Sequence, residues 1–168
     1  MQIIFFRHAE AEPVGPNGDD ASRRLTDEGW EQAERSAQGI RQFIGRVDLV
    51  LTSPLPRASQ TAEVAGKIWK AQVETLNALG TQFSARQLSA RLGRVDPDKT
   101  ECICLVGHEP DLSQYVGMLI GSAEAEAIKL TKSGAACVWL DGRARRGGGT
   151  LEWLMTRKQL GLLAQLES

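Results

Sequence analysis

The sequence predicts an α/β protein, a three-layer α/β/α sandwich with a mostly parallel central sheet and an antiparallel edge hairpin. Three observations carry this expectation. The runs "IIFF" (3–6), "DLVLT" (48–52) and "CICLV" (102–106) are continuously apolar rather than alternating, which is the pattern of parallel strands covered on both faces. Segments with helical periodicity separate them. Late in the chain "ACVWL" and "TLEWLM" flank the glycine-rich "DGRARRGGG", the pattern of a hairpin with a basic loop.

Each element has a local reason. After the first strand, Pro13 to Arg24 is rich in glycine, proline and aspartate and reads as a mobile loop. Leu25, Thr26 and Trp30 read as a hydrophobic staple around a threonine N-cap, with Asp27 and Glu28 suited to the positive end of a helix. Ala33, Ala37, Ile40 and Ile44 keep helical spacing, and Gly45 is the expected stop. A second helix is expected from Arg57 to Trp69, burying Ala58, Ala62, Ala65 and Trp69. A third opens at Ser84, where Gln87 completes a capping box and Phe83 packs on Leu88. A fourth follows Pro110 and buries Leu112, Val116 and Leu119. Trp139 and Trp153 are assigned to the hairpin core, Arg143, Arg145 and Arg146 to its solvated tip, and Lys158 to Leu166 to a closing helix.

Bulk properties narrow the classes. At 168 residues, with 42% hydrophobic and 24% charged residues, the chain is expected to form a single domain over 1–168 with a core of its own. A net charge of -1 argues against general nucleic-acid binding. No signal peptide or membrane-spanning stretch is read, so a soluble, cytoplasmic protein is expected, and a monomer. Cys102 and Cys104 alternate along one strand and fall on one face, where a disulfide between them is awkward. Reduced, buried thiols are the expectation.

The chemistry collects at strand ends. The first strand runs into Arg7-His8, the second into "TSPLPRASQTA" with Arg57 in the first turn of the next helix, and the third into "VGHEP" with His108. In open α/β sheets ligands bind beyond the carboxyl ends of the strands. If the three strands are parallel neighbours, two arginines and both histidines meet in one crevice. Guanidinium forks match phosphoryl oxygens, and helix N-termini after Pro56 and Pro110 add backbone donors. No carboxylate cluster is present to hold Mg²⁺, and two histidines alone make a poor zinc site, so no metal is expected. A histidine between arginines is disfavoured as imidazolium, hence neutral and nucleophilic near pH 7.

Taken singly, these residues have plainer readings. A histidine at a strand end is more often a hydrogen-bonded structural residue, and an arginine such as Arg57 more often lies on a helix surface. The recurrence in equivalent positions favours a site. Glu10, Arg23 and Glu109 are candidate substrate contacts, Arg24 is a further one, and each can equally be an ordinary solvated charge. Ser53 reads as a turn residue and Thr26 as a helix cap.

The segments "FFRHAEAEP", "RRLTDEGWEQA", "TSPLPRASQTA" and "LVGHEPDLSQYV", in that order, resemble the histidine phosphatase superfamily, which includes the cofactor-dependent phosphoglycerate mutases. The short length and "VGHEP" resemble its small branch of SixA-type phosphohistidine phosphatases. The resemblance implies that His8 is the nucleophile and is transiently phosphorylated. It implies that Arg7 and Arg57 clamp the phosphoryl oxygens, that His108 stabilises their charge, and that no cofactor takes part. Two departures stand out. Ala9 replaces the family's usual glycine, a change expected to restrict the backbone beside the phosphate. The large helical insertion that carries a general acid in bigger members is missing. An open crevice of this kind suits a phosphohistidine-bearing protein; the alternatives are a small phosphorylated substrate or a non-catalytic phosphate-binding module.

Overall fold

The computed structural model describes residues 1–96, 99–122 and 128–166. Six strands, β1 (Gln2–Arg7), β2 (Leu49–Thr52), β3 (Gln72–Thr75), β4 (Cys102–Gly107), β5 (Ala135–Leu140) and β6 (Gly149–Met155), form one sheet in the order β3-β2-β4-β1-β5-β6. The first four are parallel, and β5 and β6 run antiparallel at the edge. Among the described residues, five helices cover it: α1 (Asp27–Arg41), α2 (Pro56–Trp69), α3 (Ala85–Leu92), α4 (Asp111–Leu119) and α5 (Arg157–Leu163). The fold is α/β, as the continuous apolar runs predict.

The sheet is buried on both faces because the side chains alternate between two cores. Ile3, Phe5, Leu51, Ile103 and Leu105 pack with Leu88 of α3 and Leu112 and Val116 of α4. Ile4, Phe6, Val50, Cys104 and Val106 pack against Ala37 and Ile40 of α1, Ala58, Ala62 and Ala65 of α2, and Leu160 of α5. The alanines of α2 keep that helix close to the sheet. Cys102, Cys104 and Cys137 lie in the second core as free thiols, and burial pushes all three up, Cys102 to about 12.

Helix starts follow the caps read in the sequence. Thr26 Oγ1 accepts the Gly29 N–H at 3.0 Å, with Asp27 and Glu28 in the first turn. Ser84 Oγ accepts the Gln87 N–H at 3.3 Å. A reciprocal capping box forms instead at Thr156 and Gln159, which sequence reading did not single out.

Three expectations are corrected. The strand β3 is an addition: its residues are mostly exposed, Val73 included, so it lacks the apolar run that identifies buried strands. Helix α1 ends at Arg41 with Gln42 as its C-cap, short of Gly45, although Ile44 remains buried beyond it. Trp139 is 47% exposed on β5 rather than in the hairpin core, whereas Trp153 packs edge-on against Phe43 at 5.1 Å. The arginines of the hairpin tip are exposed, as expected. Among the described residues no helix is long and apolar enough to cross a membrane.

One close approach positions α1 beside the end of β1. A Cβ on Gly29 would lie 2.0 Å from the carbonyl oxygen of Glu10, so only glycine lets the helix start against this backbone. Gly29→Ala is therefore expected to destabilise the protein by about 1–3 kcal/mol, the cost of overpacking, seen as a lower urea midpoint.

Candidate active site

Strand order brings the three strand ends together. Central β4 pairs with β1 on one side, Arg7 opposite Gly107, and with β2 on the other, Thr52 opposite Val106. The pairing continues one step past both neighbours: His8 N–H donates to Gly107 O at 3.1 Å and Ser53 N–H to Val106 O at 3.0 Å. His108 thus emerges between His8 and Ser53, with the two imidazole rings 5.1 Å apart, centroid to centroid. Arg57 enters from the first turn of α2, behind Pro56. Thr61, one turn on, locks this helix to the loop after β1: its Oγ1 donates to Arg57 O at 2.7 Å and accepts the Ala9 N–H at 3.1 Å.

The hydrogen bond of His8 fixes its tautomer. Nδ1 lies 2.7 Å from the carbonyl oxygen of Ala9, which can only accept. Nδ1 therefore carries the proton, and the lone pair sits on Nε2. Burial holds the His8 pKa down at about 3, opposed by the Ala9 hydrogen bond and reinforced by the charges of His108, Arg57 and Arg7. For His108, burial again leads and Arg57 comes next, for a pKa of about 4. The like-charge argument made from sequence is thus secondary: desolvation is the larger cause.

Arg57 is buried and Arg7 partly buried, and both have donors to spare. Arg7 donates through Nη1 to Leu130 O at 2.8 Å. Arg57, only 6% exposed, donates to the backbone oxygen of Asp20 at 2.7 Å and to its carboxylate at 2.9 Å. Arg7 Nε, Arg57 Nε and His108 Nδ1 are buried polar atoms without a partner. Buried polar groups normally have partners, and the two guanidinium N–H groups suit a tetrahedral oxyanion. The Asp20 carboxylate is the anion that the Arg57 guanidinium meets in this structure. Among the described residues no three His, Cys, Asp or Glu side chains gather as a metal site.

The remaining sequence candidates are engaged elsewhere. Glu10 pairs with Lys132 at 2.5 Å. Glu109 accepts from Ser113 Oγ at 2.5 Å; burial raises its pKa, and its charge acts on Arg7. Arg23 binds Asp20 at 2.7 Å and donates through Nε to Glu12 O, so it fastens the 13–24 loop over Arg57. Ala9 has its own explanation. It is fully buried with Leu25 and Ala33 and is not among the residues of positive φ, so the methyl group packs without straining the loop. Sequence reasoning missed Asp20, Thr61, Lys132 and the Leu130 carbonyl. Thr61 lay inside the motif already singled out, but the others meet the site only through long-range folding.

Residues 3–82 match the profile of the histidine phosphatase superfamily (branch 1). The chain is 30% identical over 135 residues to an uncharacterised protein of Picosynechococcus, covering 80% of this chain and 82% of that one. The chain belongs to this superfamily. It is also 27% identical over 158 residues to the phosphohistidine phosphatase SixA of Escherichia coli, covering 93% and 94% of the two chains. Among solved structures, the protein histidine phosphatase SixA complexed with tungstate superposes with a TM-score of 0.84 at 26% identity, covering 95% of this chain and 99% of that one.

The histidine environments set a pH dependence. Both folded pKa values, about 3 and about 4, lie below the ordinary value of about 6.5. Between these limits the unfolded chain binds more protons than the native one, so stability rises with pH. The two rings are therefore expected to contribute full stability above about pH 6.5 and to lose it progressively as pH falls through about 4 and then about 3. Denaturant titrations between pH 3 and 8 check this. Replacing both histidines by glutamine should flatten that part of the profile.

Proposed function

We propose that the protein is a metal-independent phosphatase that uses His8 as nucleophile and acts on phosphohistidine carried by another protein. The observation that carries the reading is the fixed tautomer of His8, whose Nδ1 is committed to the Ala9 carbonyl, leaving a neutral Nε2 lone pair in a site that also holds two unpartnered guanidinium N–H groups and an unpartnered His108 nitrogen. A structural histidine has no need of surplus donors around it, and a binding module has no need of a free lone pair.

The chemistry follows from these atoms. Nε2 of His8 attacks phosphorus, and the bond from phosphorus to the leaving nitrogen breaks, its electron pair going to the departing imidazole, which takes up a proton. Arg7, Arg57 and His108 hold the oxygens as charge redistributes. The Asp20 carboxylate gives way on Arg57 to the incoming phosphoryl group. Water then attacks the phosphorus on His8, releasing inorganic phosphate and returning the neutral ring.

Substrate class rests on two supports. Between β2 and β4 the described residues form only α2, β3, a 3₁₀ turn (Asn77–Leu79) and the eight-residue α3, which leaves no long helical roof over the strand ends. A phosphorylated side chain displayed on a protein surface fits such a site. A phosphoramidate P–N bond also leaves more readily than an ester P–O bond, so it makes less demand on a dedicated acid, and neither Glu10 nor Glu109 is free of other partners. The names of the SixA relatives point the same way.

Turnover of a phosphohistidine protein and of p-nitrophenyl phosphate, each with a chelator present, tests the reading. Faster turnover of the first is expected, with His8→Ala abolishing both and Arg57→Ala lowering kcat/KM by about a hundredfold, as for loss of one preorganised charged donor. Turnover of small esters alone moves the substrate to phosphomonoesters. Phosphatase activity that survives His8→Ala sinks the mechanism.

A further inference from the structure

Either nitrogen of a neutral His108 can carry its proton, and one buried hydroxyl selects between them. Ser53 is fully buried at the end of β2. Its Oγ lies 2.8 Å from His108 Nε2 and accepts the Leu55 N–H at 3.2 Å. A hydroxyl that accepts from a backbone N–H still has a proton to place, and burial makes an unplaced one costly. Nε2 of His108 is the acceptor within reach.

We infer that Ser53 is a positioning residue, which donates to His108 Nε2 and thereby fixes the proton of His108 on Nδ1, the atom that meets the phosphoryl oxygens. The opposite tautomer fails the hydrogen-bond accounting twice. With the proton on Nε2, the Ser53 hydroxyl loses its acceptor, and Nδ1 becomes a bare lone pair buried beside cations and unable to donate to an anion. With the proton on Nδ1, every bond in the chain from Leu55 N–H through Ser53 to His108 is made. The one group left over is an N–H, already recorded as buried and without a partner. His108 follows β4, between Ser53 after β2 and His8 after β1. Its Nε2 faces Ser53, and the His8 ring lies 5.1 Å away on the other side of β4.

Because His108 is neutral at pH 7, its tautomer is a real choice that the protein has to make. Ser53 also closes the turn into α2 through Leu55, so the same side chain sets the turn that presents Arg57 and the proton that His108 presents.

This inference rests on the site being one of phosphoryl transfer, but its first test needs no substrate. The chain holds only two histidines, so a long-range ¹H–¹⁵N correlation spectrum at pH 7 contains two imidazole spin systems, assigned with His8→Gln. Both rings are expected to carry the proton on Nδ1. A proton on Nε2 of His108 in the unaltered protein overturns the inference, and that result stands whether or not any variant folds. In Ser53→Ala the His108 pattern is expected to move to Nε2–H, and kcat for phosphatase turnover to fall about tenfold, the size of one hydrogen bond to a charged group, with KM changed less than about twofold. Ser53→Thr, which keeps the hydroxyl, should restore both the pattern and most of kcat. An unchanged tautomer in Ser53→Ala, or a changed one with kcat intact, refutes the role. Absence of phosphatase activity from the unaltered protein would instead sink the proposed function, with the His108 tautomer still readable.

Discussion

The site depends on the position of β4 in the sheet. This strand is hydrogen-bonded on both sides, and the ladders run one residue past each neighbour, through His8 N–H and Ser53 N–H. Those two bonds fix the heights of three chain reversals relative to one another. Were the register of β1 on β4 to slip by one residue, every side chain of β1 would change faces. Ile3 and Phe5 would leave one core for the other, and His8 would leave His108. The apolar packing that makes such a slip prohibitive is therefore also what holds the two rings 5.1 Å apart.

Burial then does most of the electrostatic work. Removing two imidazoles from water keeps them neutral more effectively than the neighbouring arginines do. The arginines pay for the same burial differently, since a guanidinium does not give up its proton and must find an acceptor instead. Arg7 finds the Leu130 carbonyl, and Arg57 finds Asp20. The Asp20–Arg57 pair is lopsided: the arginine side chain is 7% exposed and the aspartate 66%. Exchanging Asp20 for another anion costs the carboxylate little, because it is already largely hydrated, while Arg57 always needs a negative partner. In the proposed mechanism the loop thus serves as a replaceable counter-ion for a fixed cation.

The sequence discloses what is local or periodic and conceals what is not. The buried strands are legible because being covered on two faces demands an unbroken apolar run. The edge strand β3 escapes notice because an edge has no such demand, and its exposed residues read as polar chain. Arg7, His8, Arg57 and His108 are legible as candidates because each follows an element that can be placed, and parallel neighbours place their ends on one side. Asp20 is not, since a glycine- and aspartate-rich loop gives no sign of which carboxylate will turn inward. Lys132 and the Leu130 carbonyl lie more than a hundred residues from Glu10 and Arg7. Their roles come from β5 lying beside β1, and no local spacing encodes that neighbour. The exposed Trp139 shows the limit of residue type as a guide, because an aromatic side chain on an edge hairpin can face either way.

Two identical side chains do different work here because their neighbours differ. Both rings are buried and neutral, so neither can rely on charge. A backbone carbonyl takes the Nδ1 proton of His8 as its partner, and what remains is a lone pair. A hydroxyl occupies Nε2 of His108, and in the inference drawn from it what remains is an N–H. The same burial that strips both of their protonated form makes the choice of tautomer what distinguishes nucleophile from donor in the proposed mechanism. That choice is made by one oxygen at each ring, supplied by the turn that follows each flanking strand. A substitution that left both histidines in place but altered either oxygen would keep the composition of the site and lose its polarity.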